Sequence, residues 1–171
     1  MDNFVFYNPV KLIFGEGTIS KIAREIPQDK RVLITFGGGS VKSNGVYKEV
    51  RDALKDHTCF EFWGIEPNPT VQTIRKAVEL LKREKIGFIL AVGGGSVLDA
   101  SKLIAAAGLF DGDPWDLVLN PSLYKESLPY GTVLTLPATG SEMNRGAVIS
   151  NSDTHEKFSF YSTYPRFSVL D

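Results

Sequence analysis

The same five residues, Gly-Gly-Gly-Ser-Val, occur twice in this chain, at 37–41 and again at 93–97. Each copy directly follows an apolar run, so each is predicted to lie where a buried strand ends. Three consecutive glycines are costly to order, but they let the backbone approach a ligand closely. A helix that starts after them offers free N–H groups to a phosphate. The motif therefore predicts two phosphate-binding turns, while two tight turns that bind nothing remain the alternative.

The glycine clusters do not match the best-known phosphate motifs. The second cluster continues as GGGSVLD and lacks the last glycine of G-x-G-x-x-G. Neither cluster is followed by Gly-Lys-Ser/Thr, and no G-x-S-x-G elbow occurs, which argues against a P-loop hydrolase and an α/β-hydrolase. Ser96 is expected to cap the following helix or to donate its hydroxyl to a phosphate oxygen. The residues alone thus indicate a two-site phosphate binder, such as a dinucleotide site.

A third stretch, LTLPATGSEMN at 134–144, carries short hydroxyl and amide side chains. It follows a predicted strand and turns at Gly140. Thr135, Thr139, Ser141 and Asn144 could hydrogen-bond a ribose or a carboxamide, with a plain polar turn as the alternative.

The apolar spacing predicts the elements that position these motifs. Continuous apolar runs at 31–36, 87–92 and 131–137 are typical of strands buried on both faces. Helical spacing at 18–26, 46–54 and 71–81 predicts amphipathic helices between them, the first with Thr18 as N-cap. Shorter strands are predicted at CFEFWG, GAVISN, KFSFYS and FSVLD. We therefore expect one α/β domain with a parallel sheet and helices on both faces.

The first fourteen residues predict an additional feature at the sheet edge. FVFY at 4–7 and KLIF at 11–14 have the character of two short strands joined through Asn8-Pro9. They predict an N-terminal edge hairpin, whose open strand edge could pair with another chain.

The composition excludes several classes of partner. The 171 residues are 43% hydrophobic with a net charge of −1, which provides no electrostatic footprint for nucleic acid or an anionic membrane. No apolar stretch reaches the ~20 residues that cross a bilayer. The single cysteine, Cys59, cannot form an intrachain disulfide, and the start MDNFVFYNP has no signal-peptide pattern, so a cytoplasmic location is expected.

The motifs GEGTI, YNPVKLIFG, EPNP, GGGSVLDASK, LTLPATGSEMN and AVIS together resemble the iron-type (group III, metal-dependent) alcohol dehydrogenases. The chain is most similar to their NADPH-preferring butanol dehydrogenase and aldehyde reductase branch, from Asn3 to Asp171. The resemblance implies a Rossmann-like dinucleotide-binding domain over 1–171. It also implies that the helical metal-binding domain of the family is absent from this chain, and that the active site of the full-length protein lies between the two domains.

The resemblance implies a role for particular residues in holding the cofactor. Gly94, Gly95 and Ser96 would hold the pyrophosphate on backbone N–H groups. Asp99, one helical turn later, would face the nicotinamide end and the substrate.

Further residues are implied along the rest of the cofactor. Thr135, Thr139 and Ser141 would line the nicotinamide ribose and ring, and Lys157 would reach the ribose from a neighbouring hairpin. Asn68 would flank the adenine side. The first cluster, formed by Gly37, Gly38, Gly39 and Ser40, would lie under the adenosine ribose.

The first cluster also bears on the choice of cofactor. NAD-specific relatives resemble this sequence but carry an aspartate where Gly38 stands, and a carboxylate there would repel a 2′-phosphate. Gly38, Gly39 and Ser40 leave room and donors for that phosphate, and Lys42 could add charge. We therefore expect NADP(H) to be preferred over NAD(H).

The resemblance also implies a divalent metal, such as iron or zinc, held by one aspartate and three histidines that lie downstream of this segment. The chain contains only His57 and His155, and neither has a metal-ligand spacing. No catalytic or metal residue is therefore assigned here. The chain alone is expected to bind cofactor and to turn over alcohol poorly or not at all.

Two alternatives remain open at this stage. The chain could be a non-catalytic, stand-alone nucleotide-binding or scaffold domain, or part of a glycerol dehydrogenase-like or dehydroquinate synthase-like enzyme. TLPATGSEMN favours the alcohol branch over the second alternative. For the full-length protein the expected substrates are small alcohols or aldehydes, and a homodimer is expected through the N-terminal strand edge.

Overall fold

The computed structural model describes residues 3–171, which form a six-stranded parallel sheet and a separate two-stranded antiparallel sheet. The strands are β1 Lys11–Phe14, β2 Val32–Phe36, β3 Cys59–Phe62, β4 Phe88–Gly94, β5 Tyr130–Leu136, β6 Gly146–Asn151, β7 Glu156–Tyr161 and β8 Phe167–Leu170. The α-helices are α1 Ile22–Glu25, α2 Ser40–Ser43, α3 Val46–Ala53, α4 Val71–Arg83, α5 Gly95–Ala107 and α6 Pro114–Leu119. Turns of 3-10 helix cover Thr18–Lys21, Pro121–Leu123 and Ser141–Met143.

The strand order of the large sheet is β1-β8-β5-β4-β2-β3. From β2 the chain moves outward to β3, and from β4 it moves the other way to β5. Helices α4, α5 and α6 pack on one face of the sheet, while α1, α2 and α3 pack on the other. The helices that follow β2 and β4 therefore leave on opposite faces, which opens a crevice at the carboxyl ends of these two strands. This is the position at which doubly wound sheets bind ligands.

The central strands confirm the predicted burial on both faces. All five residues of β2 are buried, and β4 is buried from Phe88 to Gly93. Val32 pairs with Phe88 in parallel register, and the pairing continues to Phe36 with Val92. Each strand ends at a glycine cluster, so this pairing places the two clusters side by side in the crevice.

Helix α4 begins where the stiff Pro-Asn-Pro loop ends. Thr70 is extended, and its side chain accepts a hydrogen bond from the Thr73 backbone N–H, which caps the helix. The predicted apolar stripe is buried against the sheet, at Val71, Ile74, Val78 and Leu81. The helix therefore fixes the loop that precedes it at the edge of the crevice.

The predicted N-terminal helix over 18–26 is a 3-10 turn followed by the short α1. Its apolar residues Ile19, Ile22 and Ile26 are buried as expected. Thr18 is not the N-cap, because its hydroxyl instead donates 2.6 Å to the Gly15 carbonyl and Gly17 precedes the first turn with a φ of 72°.

The predicted N-terminal edge hairpin is wrong. Only Lys11–Phe14 is a strand, and it pairs in parallel with β8. The Asn8 side chain accepts a hydrogen bond from the Val10 N–H and donates one of 2.8 Å to the Met143 carbonyl, which ties the chain to the loop after β5. A two-residue hairpin turn favours positive φ, and Pro9 cannot adopt it. Residues 4–7 therefore lie outside any strand, with exposed side chains.

The antiparallel pairing of β6 and β7 confirms the strands predicted at GAVISN and KFSFYS and forms the hairpin that carries Lys157, with His155 at its tip at a φ of 56°. The hairpin is held against the start of α4: the Ser150 N–H donates 3.0 Å to the Pro69 carbonyl, and the Gln72 amide donates 2.9 Å to the Asn151 side chain. These bonds place the hairpin beside α5, at the wall of the crevice.

None of the helices formed by residues 3–171 is both long enough and apolar enough to cross a membrane.

Candidate functional site

The N-terminus of α5 lies at the carboxyl end of β4. Gly94 is the extended residue before the helix, and no side chain caps the first turn. The first N–H groups of a helix have no partner within the helix and carry a partial positive charge. Ser96 is half-buried and its hydroxyl has no hydrogen-bond partner among residues 3–171. Ser96 is therefore not the helix cap, and its expected bond to a phosphate stays a prediction.

The three glycines of this cluster have different surroundings. A Cβ on Gly93 would lie 2.7 Å from Val97 Cγ2, and a Cβ on Gly95 would lie 2.8 Å from Thr139 Oγ1. Gly93 and Gly95 thus allow close internal packing. A Cβ on Gly94 would meet nothing nearer than Leu136 Cβ at 4.0 Å. Gly94 is therefore not needed for packing within the domain, and its expected contact with a ligand stays a prediction.

The first cluster, after β2, is more open. Gly39 has a φ of 112°, a conformation that favours glycine. Gly38 is exposed, its φ is ordinary, and a Cβ there would meet nothing within 4 Å. A Cβ on Gly37 would lie 3.4 Å from the Ile65 carbonyl oxygen. Ser40 is exposed at the start of α2.

Lys42, which the sequence suggested as a charge for a 2′-phosphate, lies on an aromatic cluster. Its ammonium is 4.2 Å from the centre of a Trp63 ring and 5.7 Å from the Tyr47 ring centre. Trp63 stacks in turn on Phe36, with ring centroids 4.1 Å apart. These cation–π contacts hold the ammonium beside the first glycine cluster, and its contact with a phosphate stays a prediction.

A cavity of about 530 Å³ lies between α5, the loop after β5 and the β6–β7 hairpin. Four of the predicted residues, Asp99, Thr139, Ser141 and Asn144, line it together. The remaining polar and aromatic lining comes from Arg145, Ser159, Tyr161 and Tyr164. The cavity thus brings together carboxylate, hydroxyl, amide and guanidinium groups that could hydrogen-bond a ribose or a carboxamide.

The polar lining is held by a buried lysine. Lys102 is fully buried on α5, and its ammonium donates to Ser141 Oγ at 2.8 Å, Asn144 Oδ1 at 2.9 Å and the Gly146 carbonyl at 2.6 Å. Burial lowers the pKa of Lys102 to about 8, although the charges of Asp99 and Glu142 oppose this shift.

Asp99 completes the same network. Ser141 Oγ donates 2.7 Å to Asp99 Oδ1, and the Val148 N–H donates 3.0 Å to Asp99 Oδ2. Lys102 was not among the predicted site residues. Its signal is a lone cation in LDASKLIAAAG, three residues after Asp99 and so on the same face of an otherwise apolar helix.

Thr135 lies apart from this group. It lines a second cavity, of about 480 Å³, at the carboxyl ends of β1, β5 and β8, together with Phe14, Glu16, Leu134 and Asp171. The structure therefore does not bring Thr135 into the cavity that holds Thr139 and Ser141, although both cavities adjoin the end of β5.

Asn68 and Lys157 are in direct contact. The Lys157 ammonium donates 2.8 Å to Asn68 Oδ1, which joins the hairpin to the Pro-Asn-Pro loop, and Asn68 has a φ of 56°. The resemblance placed Asn68 at the adenine side and Lys157 at the nicotinamide ribose. Their contact joins the two elements that carry them, and the cofactor contacts expected of both residues stay predictions.

The residues present do not fit a metal centre. Within residues 3–171 no three His, Cys, Asp or Glu side chains cluster in a way that could hold an ion. His57 Nε2 lies 3.1 Å from the Ile26 carbonyl, and His155 is exposed at the hairpin tip. The location of metal ligands outside this chain stays a prediction.

The sequence matches the model of the family described as iron-containing alcohol dehydrogenase over residues 9–171. It is 51% identical to the NADPH-dependent aldehyde reductase YqhD of Escherichia coli and 49% identical to a probable NADH-dependent butanol dehydrogenase of Bacillus subtilis. In both comparisons all of this chain aligns with 46% of the relative, so it spans less than half of their length.

Solved structures agree with these matches. The crystal structure of E. coli YqhD superposes with a TM-score of 0.94 at 50% identity, over 99% of this chain and 45% of that one. The NADH-dependent butanol dehydrogenase A of Thermotoga maritima superposes with a TM-score of 0.92 at 47% identity, over 100% and 44% of the two chains. This chain thus has the same Rossmann-like fold as the corresponding parts of those two structures. The chain belongs to the iron-containing alcohol dehydrogenase family.

Proposed function

We propose that this chain is the dinucleotide-binding part of an enzyme that interconverts primary alcohols and aldehydes. The observation that carries the proposal is the position of the two glycine clusters, side by side at the carboxyl ends of β2 and β4, where the chain reverses direction across the sheet. Relatives that match the whole chain are named as alcohol dehydrogenases or aldehyde reductases. The reaction itself belongs to the whole protein.

The geometry supports a specific path for the cofactor. The α5 N-terminus, with Gly94, Gly95 and Ser96, would hold the pyrophosphate, since the room at Gly94 and the unpartnered Ser96 hydroxyl fit a bound phosphate. The first cluster would hold the adenosine ribose. Asn68 would flank the adenine side and Lys157 would reach the nicotinamide ribose, from two elements that the bond between their side chains joins.

The nicotinamide end would occupy the 530 Å³ cavity. Asp99, Thr139 and Ser141 would bind its ribose and carboxamide there, and Thr135 would line the adjoining space at the end of β5. The nicotinamide, when bound, gives or accepts a hydride. The residues of this chain would bind and orient it, and residues 3–171 contain no cluster of metal-ligating side chains that could hold an ion to polarise an alcohol oxygen.

We further propose that NADP(H) is preferred over NAD(H). The support is the open space at Gly38, beside which Ser40 supplies a donor and Lys42 a nearby positive charge. Among the relatives one is named as NADPH-dependent and others as NADH-dependent, so the family alone does not decide the preference.

The proposal is tested by calorimetric titration of the purified chain with NADPH and with NADH. Ser96→Glu places a carboxylate in the first turn of α5. The helix dipole stabilises a negative charge there, so the fold is retained, but the carboxylate repels a pyrophosphate. We expect wild type to bind both cofactors, and we expect Ser96→Glu to bind neither. The control Ser122→Glu adds the same charge at an exposed residue far along the chain and should bind like wild type.

Two outcomes contradict the proposal. If wild type binds neither cofactor, the chain is not a self-sufficient cofactor domain, and the stand-alone scaffold alternative is favoured. If Ser96→Glu binds as tightly as wild type, the cofactor does not use the α5 N-terminus. The expected homodimer and cytoplasmic location stay predictions alongside this proposal.

A further inference from the structure

The Lys102 ammonium donates in three directions at once. Its three acceptors are Ser141 Oγ, Asn144 Oδ1 and the Gly146 carbonyl, which line or adjoin the 530 Å³ cavity. An ammonium has three N–H groups and no lone pair, so all three are used. Removing the buried ammonium would leave its three acceptors and the neighbouring carboxylates without their partner. Its loss therefore costs more than the loss of a single contact.

This arrangement fixes the direction of the next hydrogen bond. Ser141 Oγ accepts from Lys102, so its only hydrogen is available to Asp99 Oδ1, 2.7 Å away. Asp99 Oδ2 accepts from the Val148 N–H. Each carboxylate oxygen keeps further acceptor capacity, and Asp99 lies in the cavity lining. These bonds fix the orientation of the Asp99 carboxylate, which can accept further hydrogen bonds from a group in the cavity.

Lys102 also balances the charge of Asp99. The two residues are three positions apart on the same face of α5 and are bridged by one hydroxyl. Glu142, also buried, adds a second anion near the ammonium, and Arg145 adds a cation to the cavity wall. An oxidised nicotinamide ring is positively charged, whereas the reduced ring is neutral. The net charge beside the ring therefore acts on one form of the cofactor and not on the other.

We propose that Lys102 is a positioning residue that sets the balance between oxidised and reduced cofactor at this site. It holds Asp99 in place through Ser141 and offsets its negative charge, so that the cavity does not favour the cationic ring. This inference rests on the proposed function, because it requires the nicotinamide to occupy the cavity beside Asp99.

The test measures dissociation constants for NADP⁺ and NADPH, and compares their ratio between variants. Lys102→Met removes the charge at similar length, so the ratio should shift toward NADP⁺ by about tenfold, as for a unit charge several ångströms away in a partly buried site. Lys102→Arg keeps the charge and should keep the wild-type ratio. Asp99→Asn removes the anion and should shift the ratio toward NADPH.

A purely structural role predicts a different pattern. Collapse of the cavity would weaken both forms by the same factor and leave their ratio unchanged, and this result in both Lys102→Met and Asp99→Asn would overturn the inference. Where circular dichroism shows that Lys102→Met does not fold, the direction of the shift in Asp99→Asn decides. Failure of wild type to bind either form would overturn the proposed function, and this inference with it.

Discussion

Gly95 and Thr139 approach each other so closely that a methyl group on Gly95 would lie 2.8 Å from the Thr139 hydroxyl oxygen. Real Cβ atoms essentially never approach another heavy atom this closely. The first residue of α5 and the loop after β5 therefore meet at a point where an added methyl group forces the Thr139 side chain or the backbone to shift. This contact joins the second glycine cluster to the polar stretch, the two motifs that the sequence offered separately.

Gly95→Ala should destabilise the domain by about 1–2 kcal/mol, because the added methyl group overpacks the contact with Thr139. Helix propensity alone would predict the opposite, a gain of about 0.5–1 kcal/mol. In a Thr139→Ala background the nearest remaining Thr139 atom is Cβ at 3.8 Å, so the cost should disappear. Urea denaturation of the four chains in this double-mutant cycle measures the difference. Gly94→Ala, which has room, is the control and should leave stability near that of wild type.

Gly38→Asp should reverse the preference for NADPH over NADH. The side chain has space and an ordinary backbone conformation, so the fold is expected to be retained. The introduced carboxylate repels a 2′-phosphate and can accept a hydrogen bond from a free 2′-hydroxyl. Gly38→Asn is the matched control, with the same shape and no charge. An unchanged ratio of the two dissociation constants in Gly38→Asp would place the 2′-phosphate elsewhere.

Lys102 should make the stability of the domain depend on pH. Burial lowers its pKa from 10.5 to about 8, so between these values the unfolded chain holds a proton that the folded chain has released. Stability from this group therefore rises with pH across that window. Relative to Lys102→Met, the free energy of unfolding of wild type should increase by about 2 kcal/mol between pH 7 and pH 10. Lys55→Met, at an exposed lysine, is the control. Parallel pH profiles of wild type and Lys102→Met would show that Lys102 stays charged throughout.

The exposed segment Phe4–Tyr7 should drive self-association. Its four side chains are all apolar and 75–96% exposed, and exposed apolar patches promote association. Replacing Phe4 and Phe6 by serine should shift the chain toward monomer in analytical ultracentrifugation. Leu119→Ser, at another exposed apolar residue, is the control and should not change the association. If wild type is monomeric at tens of micromolar, the expected dimer does not form through this segment.

The central strands and α4 were predictable because their apolar patterns reflect burial directly. Val71, Ile74, Val78 and Leu81 face the sheet as their spacing predicts. The pairing of the N-terminal strand was not predictable. Lys11–Phe14 pairs with β8, more than 150 residues later, and a local sequence pattern cannot identify so distant a neighbour. Helix α6 carried a visible signal that was not used: Asp113 caps it and Pro114 is its first residue.

The candidate site divides in the same way. Its glycine clusters could be located because a strand that ends in glycines marks a ligand-facing turn. The hydrogen-bond network around Lys102 could not be located from the sequence, because it depends on which loop folds over α5. The hairpin that follows this loop is held in place by its bonds to the start of α4. For the same reason the contact between Asn68 and Lys157, 89 residues apart, appears only in the structure.

Cofactor binding at the two glycine clusters is tested most directly by an ¹H–¹⁵N correlation spectrum of the ¹⁵N-labelled chain, recorded during titration with NADPH. The backbone amides of both glycine clusters, 37–40 and 94–96, are expected to shift together with the side-chain amide of Asn68. The amides of Gly87, which precedes β4 at the opposite end of the sheet, and of Gly112, in the loop before α6, should remain unchanged. Saturable shifts confined to a different surface, or none at either cluster, would contradict the claim that these turns hold the cofactor.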